Sequence, residues 1–428
     1  MVQVSVKPSV IQGLIRAPPS KSYTHRALAL SLLAESPSTI QNPLLSRDTL
    51  ATMNACKAFG ANVSHTKSIF NVSRSGPLTA PTDVIDVQNS GTTIRMMVSI
   101  ASLIDSGISV LTGDESIRNR PMGPLLEALN QLGVECWSAR LDGMPPIIVK
   151  GGGINGGETQ ITGNISSQFI TSLLLTCPLA RKASSIHLKG KLVSSPYVDS
   201  TIEMMKIFGG QVSRDDDVYN VEIGSYSGVD FMIPSDFSSA SFLLASAALT
   251  GGNVSVQMKN LDLPQADKAI INILKKMGVD VQCDSRDGII SVTSDGELNG
   301  GNFDLSDSPD LLPVVVALAL KAKEPVEING VAHVRYKETD RLKVLALEIS
   351  KTGAKVDEKE DGLIIHPFTS IDSCTLNSHN DHRMFMTFCL VGLASKHGCI
   401  VEGAESVDVS YPNFITDMHS LSAKIEVT

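Results

Sequence analysis

Aromatic side chains are scarce here: Phe, Tyr and Trp together make up 4% of the 428 residues. Base-stacking platforms for single-stranded nucleic acid are built from such residues, so that ligand class is disfavoured. Positive charge is also in short supply. A net charge of −9 argues against general nucleic-acid binding, which needs a basic face. The seven cysteines include no Cys-x-x-Cys pair and are odd in number. They indicate neither a zinc ribbon nor a disulfide framework, and a reducing cytoplasm fits them best. Long apolar runs are absent too. The longest, Leu311 to Leu320, ends in Lys321 and is too short to span a bilayer. The opening residues alternate polar and apolar, without the continuous apolar core of a signal peptide. With 42% hydrophobic and 19% charged residues, the rest is ordinary globular composition, at a length that implies two or three domains.

Self-similarity is what the sequence does have. A helix end, a Gly and a strand recur at Phe59-Gly60-Ala61, Leu132-Gly133-Val134, Phe208-Gly209-Gly210, Met277-Gly278-Val279 and Thr352-Gly353-Ala354. A worn sixth copy, Leu421-Ser422-Ala423, closes the chain. The markers are 69 to 76 residues apart. Gly is expected there because helices often end on a left-handed residue.

A second phrase keeps step with the first: a polar helix start, then an apolar helix. Its copies are Ser20-Lys21-Ser22, Asn89-Ser90-Gly91-Thr92-Thr93, Asn164-Ile165-Ser166-Ser167-Gln168, Asp236-Phe237-Ser238-Ser239, Asp307-Ser308-Pro309-Asp310 and Asn380-Asp381-His382-Arg383. Helices apolar all round are buried within their domain. Each unit therefore reads as β-α-β-α-β-β, and six units form two groups of three. The expected break lies around Gly224 to Asp230. Two such groups facing each other would point up to six helix N-termini into one anion-attracting cleft. Gly151 to Gly157 looks like a nucleotide loop but lacks the following Lys-Ser/Thr, and is expected to be a hairpin turn.

Cations gather at these helix starts: Lys21, Arg26, Arg95, Arg120, Lys337, Arg341 and Arg383. In an acidic chain, that grouping implies a small, multiply anionic ligand. Any one of these Arg residues could equally make a surface ion pair. Lys337-Glu338-Thr339-Asp340-Arg341 is expected to open a helix. Lys337 and Arg341 would then share a face and repel unless an anion lies between them. Glu338 reads either as a surface partner of Arg341 or as a carboxylate poised for proton transfer, and Asp310 as a helix cap or a general base. His379-Asn380-Asp381-His382-Arg383 suggests a metal, but zinc wants three or four ligands and Arg383 repels a cation, so none is expected.

Taken together, Ser20-Lys21-Ser22, Asn89-x-Gly91-Thr92-x-x-Arg95, Arg120-Pro121, Ser166-Ser167-Gln168-Phe169, Ser194-x-Pro196-Tyr197, Lys337-Glu338-Thr339-Asp340-Arg341 and Asn380-Asp381-His382-Arg383 resemble the motifs of the 5-enolpyruvylshikimate-3-phosphate synthase family, in wording close to its archaeal members. The resemblance runs through the whole chain in order. It implies two inside-out α/β domains of three β-α-β-α-β-β repeats each, with the active site in the interdomain cleft. The domains would be residues 15–227, and residues 1–14 with 228–428. It implies transfer of the enolpyruvyl group of phosphoenolpyruvate to the 5-hydroxyl of shikimate 3-phosphate, by addition and elimination through a tetrahedral intermediate. No metal or cofactor is implied, and the chain is expected to work as a cytoplasmic monomer with no nucleic-acid or membrane partner. By the same resemblance, Lys21, Ser22, Arg26, Ser166, Ser167, Gln168, Ser194, Tyr197, Asp310 and Lys337 hold shikimate 3-phosphate. Lys21, Gly91, Arg120, Gln168, Arg341 and Arg383 hold phosphoenolpyruvate. Asp310, Glu338, Lys21 and His382 are the catalytic groups, with Asp310 taking the hydroxyl proton.

Two positions depart from the family pattern. Val409 stands where the family usually has Lys, and His333 stands for its Asn; both put some phosphoenolpyruvate contacts in question. The related UDP-N-acetylglucosamine enolpyruvyl transferases usually carry a reactive Cys in the loop before the residue matching Arg120; here that loop is Gly113 to Asn119, without Cys. A catalytically degraded anion binder is the other alternative. Retention of both Asp310 and Glu338 speaks against it.

Overall fold

Each polar-then-apolar phrase leads into a helix, and in five of the six a side chain caps the first turn. In the computed structural model, which describes residues 2–428, six such helices are almost wholly buried: α1 (Lys21–Leu33), α2 (Gly91–Ala101), α3 (Ser167–Thr176), α4 (Phe237–Thr250), α5 (Leu312–Ala319) and α6 (His382–Ala394). The hydroxyls of Ser20, Ser90 and Ser166 and the carboxylates of Asp236 and Asp381 accept backbone N–H bonds as N-caps. The fifth copy is different. A 3₁₀ turn, Pro309–Leu311, leads into α5, and no side chain caps it. Asp310 therefore does not cap that helix; its carboxylate is directed elsewhere.

The strands form six four-stranded sheets on one plan. In the second sheet, Ile85–Asp86 runs parallel to Ile108–Thr112 with α2 between them in sequence; Ile147–Lys150 and Glu135–Ser138 then add on antiparallel. The β-α-β-α-β-β unit expected from the repeats is thus present. Three units borrow a strand from far away in sequence, the fourth sheet taking in Gln12–Arg16 beside Asn253–Gln257. The first sheet is completed by Asp230–Met232, with Phe231 opposite Ile40. The sixth takes in Gln3–Lys7 between Cys399–Glu402 and Lys424–Val427.

The repeat glycines end their helices with positive φ: 99° at Gly60, 83° at Gly133, 95° at Gly209, 88° at Gly278 and 91° at Gly353. Ser422 in the sixth copy keeps that conformation, at 73°.

The chain divides into two compact units, one of Pro19–Ile233 and one of the N-terminal segment to Pro18 with Pro234–Thr428. These breaks come later than residues 14 and 227. Strand Gln12–Arg16 pairs with Asn253–Gln257, which holds it in the unit of α4, and Asp230–Met232 pairs with Ser38–Gln41 in the unit of α1. The Gly151 to Gly157 stretch is also not a hairpin. It joins Ile147–Lys150 to Gly157–Thr162, which lie in different sheets and do not pair. Among the described residues no helix is long and apolar enough to cross a membrane.

Candidate active site

In the Pro19–Ile233 unit, helices α2 and α3 run parallel and in step. Arg95 Nη1 donates to Gln168 Oε1 at 2.6 Å, and one turn on Ser99 and Ser172 share a hydroxyl bond, also 2.6 Å. Their N-termini therefore lie side by side. Gln168 Nε2 donates to Thr92 Oγ1 at 3.0 Å, and Arg95 lies 5.5 Å from the centre of the Phe169 ring. Gly91 opens α2 beside two guanidinium groups. A Cβ there would come within 2.5 Å of Arg120 Nη1 and 3.2 Å of Arg95 Nη1. Arg120 also donates to Ser116 Oγ at 3.0 Å. Gly91, Arg95, Arg120 and Gln168 thus form one cluster. The helix that follows Arg120 spans Gly123–Gln131, with Pro124 in its first turn.

At the start of α1, Lys21 Nζ pairs with the largely buried Asp48 at 3.0 Å. Arg26 is fully buried, and burial lowers its guanidinium pKa to about 10. Its fork is used internally: Nε donates to Thr201 Oγ1 at 2.8 Å, Nη1 to Ser22 Oγ at 2.7 Å and Nη2 to the Tyr197 carbonyl at 2.8 Å. Arg26 therefore sets the positions of Ser22 and Tyr197. Ser194, left-handed at φ 58°, turns the chain into the helix Ser195–Ile207 that carries Tyr197. Ser166 caps α3 by accepting from Gln168 N at 3.3 Å, and Ser167 is its first residue.

In the other unit the cations converge on one carboxylate. Asp310 Oδ1 accepts from Lys337 Nζ and Arg341 Nη1, both at 3.0 Å, and Oδ2 accepts from Arg383 Nη2 at 2.9 Å. The anion expected between Lys337 and Arg341 is this one. The two do not share a helix face, however: Asp340 caps a helix that begins only at Arg341, so Lys337 and Glu338 precede it. Arg341 is fully buried and also binds Asp381 through Nε at 2.8 Å and Glu338 through Nη2 at 2.8 Å. Glu338 is 11% exposed, so its pair with Arg341 is no surface pair. His382 is buried as the first residue of α6, its Nδ1 4.0 Å from Asp381 Oδ1.

Burial by itself would raise the Asp310 pKa, but Arg383, Lys337 and Arg341 outweigh it and hold the carboxyl well below its usual range. Burial lowers Lys337 despite its carboxylate partner. His333 is lowered to about 4 by burial and then by Lys337, so it is neutral near pH 7. Val409 is buried at 5% exposure, so its position is filled by packing.

Three residues of these surroundings were not anticipated: Asp48, Thr201 and Asp267. Asp267 is buried and accepts from the Ser238 hydroxyl; burial and then the nearby Asp310 push its carboxyl up to about 7. Asp48 does sit in the first turn of a helix capped by Ser46, a weak local signal. Nothing local marks the other two, because their partners are distant in sequence.

The EPSP synthase (3-phosphoshikimate 1-carboxyvinyltransferase) family model matches residues 6–418. The chain belongs to the EPSP synthase family. Among its relatives, the 3-phosphoshikimate 1-carboxyvinyltransferase of Methanosarcina mazei is 45% identical, with 99% of each chain covered. That of Nitrosopumilus maritimus is 44% identical over 99% of this chain and all of its own, and that of Methanocaldococcus jannaschii 43% over 97% of each. The solved EPSP synthase of Acinetobacter baumannii superimposes over both full chains with a TM-score of 0.83 at 27% identity. The enolpyruvyl transferase NikO of Streptomyces tendae shares the fold, with a TM-score of 0.79 at 15% identity over 100% of this chain and 98% of its own. The EPSP synthase match extends across both clusters.

Proposed function

We propose that this chain transfers the enolpyruvyl group of phosphoenolpyruvate to the 5-hydroxyl of shikimate 3-phosphate and releases phosphate. The observation that carries the reading is the Asp310 carboxylate, held by Lys337, Arg341 and Arg383. Those cations are the ones that anionic substrates would recruit. While they hold Asp310 it is a poor base; as phosphoenolpyruvate draws Arg341 and Arg383 away, its basicity rises. Asp310 then takes the 5-hydroxyl proton as that oxygen bonds to C2 of phosphoenolpyruvate. Glu338 or Lys21 delivers a proton to the methylene carbon, giving a tetrahedral intermediate. Elimination reverses the carbon step: the methyl group loses a proton, the double bond re-forms and phosphate leaves.

Shikimate 3-phosphate is assigned to Lys21, Ser22, Ser166, Ser167, Gln168, Ser194, Tyr197 and Lys337, with Arg26 orienting Ser22 and Tyr197. Phosphoenolpyruvate is assigned to Lys21, Arg120, Gln168, Arg341 and Arg383, approaching closely at Gly91. His382, between Asp381 and Arg383, serves in positioning. We read the enzyme as a cytoplasmic monomer needing no metal. Phosphate release measured with both substrates, in the presence of a chelator, tests the reaction. Turnover is expected; retention of both substrates without phosphate release would leave only an anion binder.

A further inference from the structure

The sixth sheet places two cysteines side by side, away from both clusters. Strands Thr375–Asn377 and Cys399–Glu402 run parallel with Thr375 opposite Ile400, which sets Cys374 opposite Cys399. The Ile400 amide donates to the Cys374 carbonyl at 3.1 Å and fixes that register. Neighbouring strands lie about 4.8 Å apart, and a disulfide spans Cα separations of about 4.4–6.8 Å. Both residues are free thiols, Cys374 half-buried and Cys399 buried. The Cys399 thiol donates to the Asp372 carbonyl at 4.0 Å. The neighbouring Cys374, through its thiol and its backbone, and the Ser395 hydroxyl lower the Cys399 thiol against the effect of burial, while Cys399 and burial push Cys374 up.

We infer that Cys374 and Cys399 form a peroxide-sensitive dithiol that closes reversibly into a disulfide. The Cys399 thiolate attacks one oxygen of hydrogen peroxide; the O–O bond breaks, leaving Cys399 sulfenic acid and a hydroxide that takes up a proton to become water. The Cys374 sulfur then attacks the Cys399 sulfur, the S–O bond breaks, and the departing hydroxide leaves as water with the Cys374 proton. Two thiols and one peroxide become one disulfide and two waters. The resulting bridge ties the strand that leads into α6 to the strand that follows it, so Asp381 and Arg383 lie inside the closed loop. Cys389, buried on α6 near Cys399, is the competing partner.

The test uses the full chain treated with hydrogen peroxide at pH 7, its remaining thiols alkylated, and its unreduced peptides mapped by mass. A Cys374–Cys399 link is expected, costing two of the seven thiols and reversed by dithiothreitol. Cys399 is lowered whereas burial pushes Cys56, Cys136 and Cys177 up, so the pair should be lost before those three thiols. Cys374→Ser alters a half-buried side chain and should leave Cys399 as an unlinked oxyacid. Alkylation of both cysteines after treatment that has already oxidised the exposed Cys283, or a Cys389–Cys399 link instead, overturns the inference.

Discussion

Asp310 shows how little of a site's electrostatics a motif can carry. Sequence supplies a carboxylate near a buried helix, but its three cationic partners lie 27, 31 and 73 residues away. Changing Asp310 or Glu338 to the amide keeps shape and removes proton transfer. The expected fall in kcat is about 10²–10⁴-fold for each variant, and wild-type turnover in either removes that residue from the mechanism. Gly91 makes a sharper geometric claim. In Gly91→Ala the new methyl group overlaps the Arg120 guanidinium and must push it aside. Loss of one charge-assisted bond to phosphoenolpyruvate costs about 1.5–3 kcal/mol, so its KM should rise roughly 10- to 150-fold. The KM for shikimate 3-phosphate should change little, and an unchanged KM for phosphoenolpyruvate would detach Arg120 from that substrate. Asp267 governs a pH dependence. Burial and Asp310 raise its carboxyl from the ordinary 3.8 to about 7, so between those values the folded chain keeps a proton that the unfolded chain has lost. Stability from this group therefore falls as pH rises through that window, and the full penalty stands above it. Asp267→Asn should be more stable than the wild type at pH 8 in urea titrations, with the gap shrinking toward pH 4. A gap independent of pH would refute the assignment.

At the scale of single elements the sequence was informative wherever the signal is local. Apolar runs after Ser or Asp caps became buried helices, and the glycine markers became left-handed helix ends. Helix starts were harder to place: Lys337 and Glu338 precede their helix because Asp340 is the better cap. The Gly-rich stretch from Gly151 misled because glycine marks a turn without saying whether the flanking strands pair. Ser422 offers a test of the repeat itself. It holds the left-handed φ of 73° that the other five copies give to Gly. A Cβ in that region costs about 1–2 kcal/mol, partly offset by the greater freedom of Gly when unfolded. Ser422→Gly should therefore stabilise the chain by roughly 0.5–1 kcal/mol and raise its melting temperature by about 1–2 °C. An unchanged or lower melting temperature would mean that Ser422 is not strained.

At the scale of the whole chain, the repeats revealed six units but not which strand completes which sheet. Strand exchange across nearly 200 residues leaves no periodic trace, and this is why boundaries at 14 and 227 fell short. The strand Asp230–Met232 adds one edge to the first sheet, with the Ile233 amide bonded to the Gln41 carbonyl at 2.9 Å and Asp230 accepting from Gln41 Nε2 at 2.7 Å. Phe231 is nearly buried and stacks on Tyr23 with ring centres 6.4 Å apart. That ring is the main apolar contribution of the strand, and removing a buried Phe costs about 3–5 kcal/mol. Pro19–Ile233 is one continuous segment with its own buried helices, so as a separate fragment it should unfold cooperatively. A fragment of residues 19–227 leaves Ser38–Gln41 as an open edge and uncovers Tyr23, the aromatic partner of Phe231. It should be less stable by several kcal/mol and more prone to aggregate, since an unpaired edge invites pairing between chains. Urea denaturation of the two fragments side by side reads the difference. Equal midpoints would mean that the exchanged strand is an appendage and that the unit ends before it.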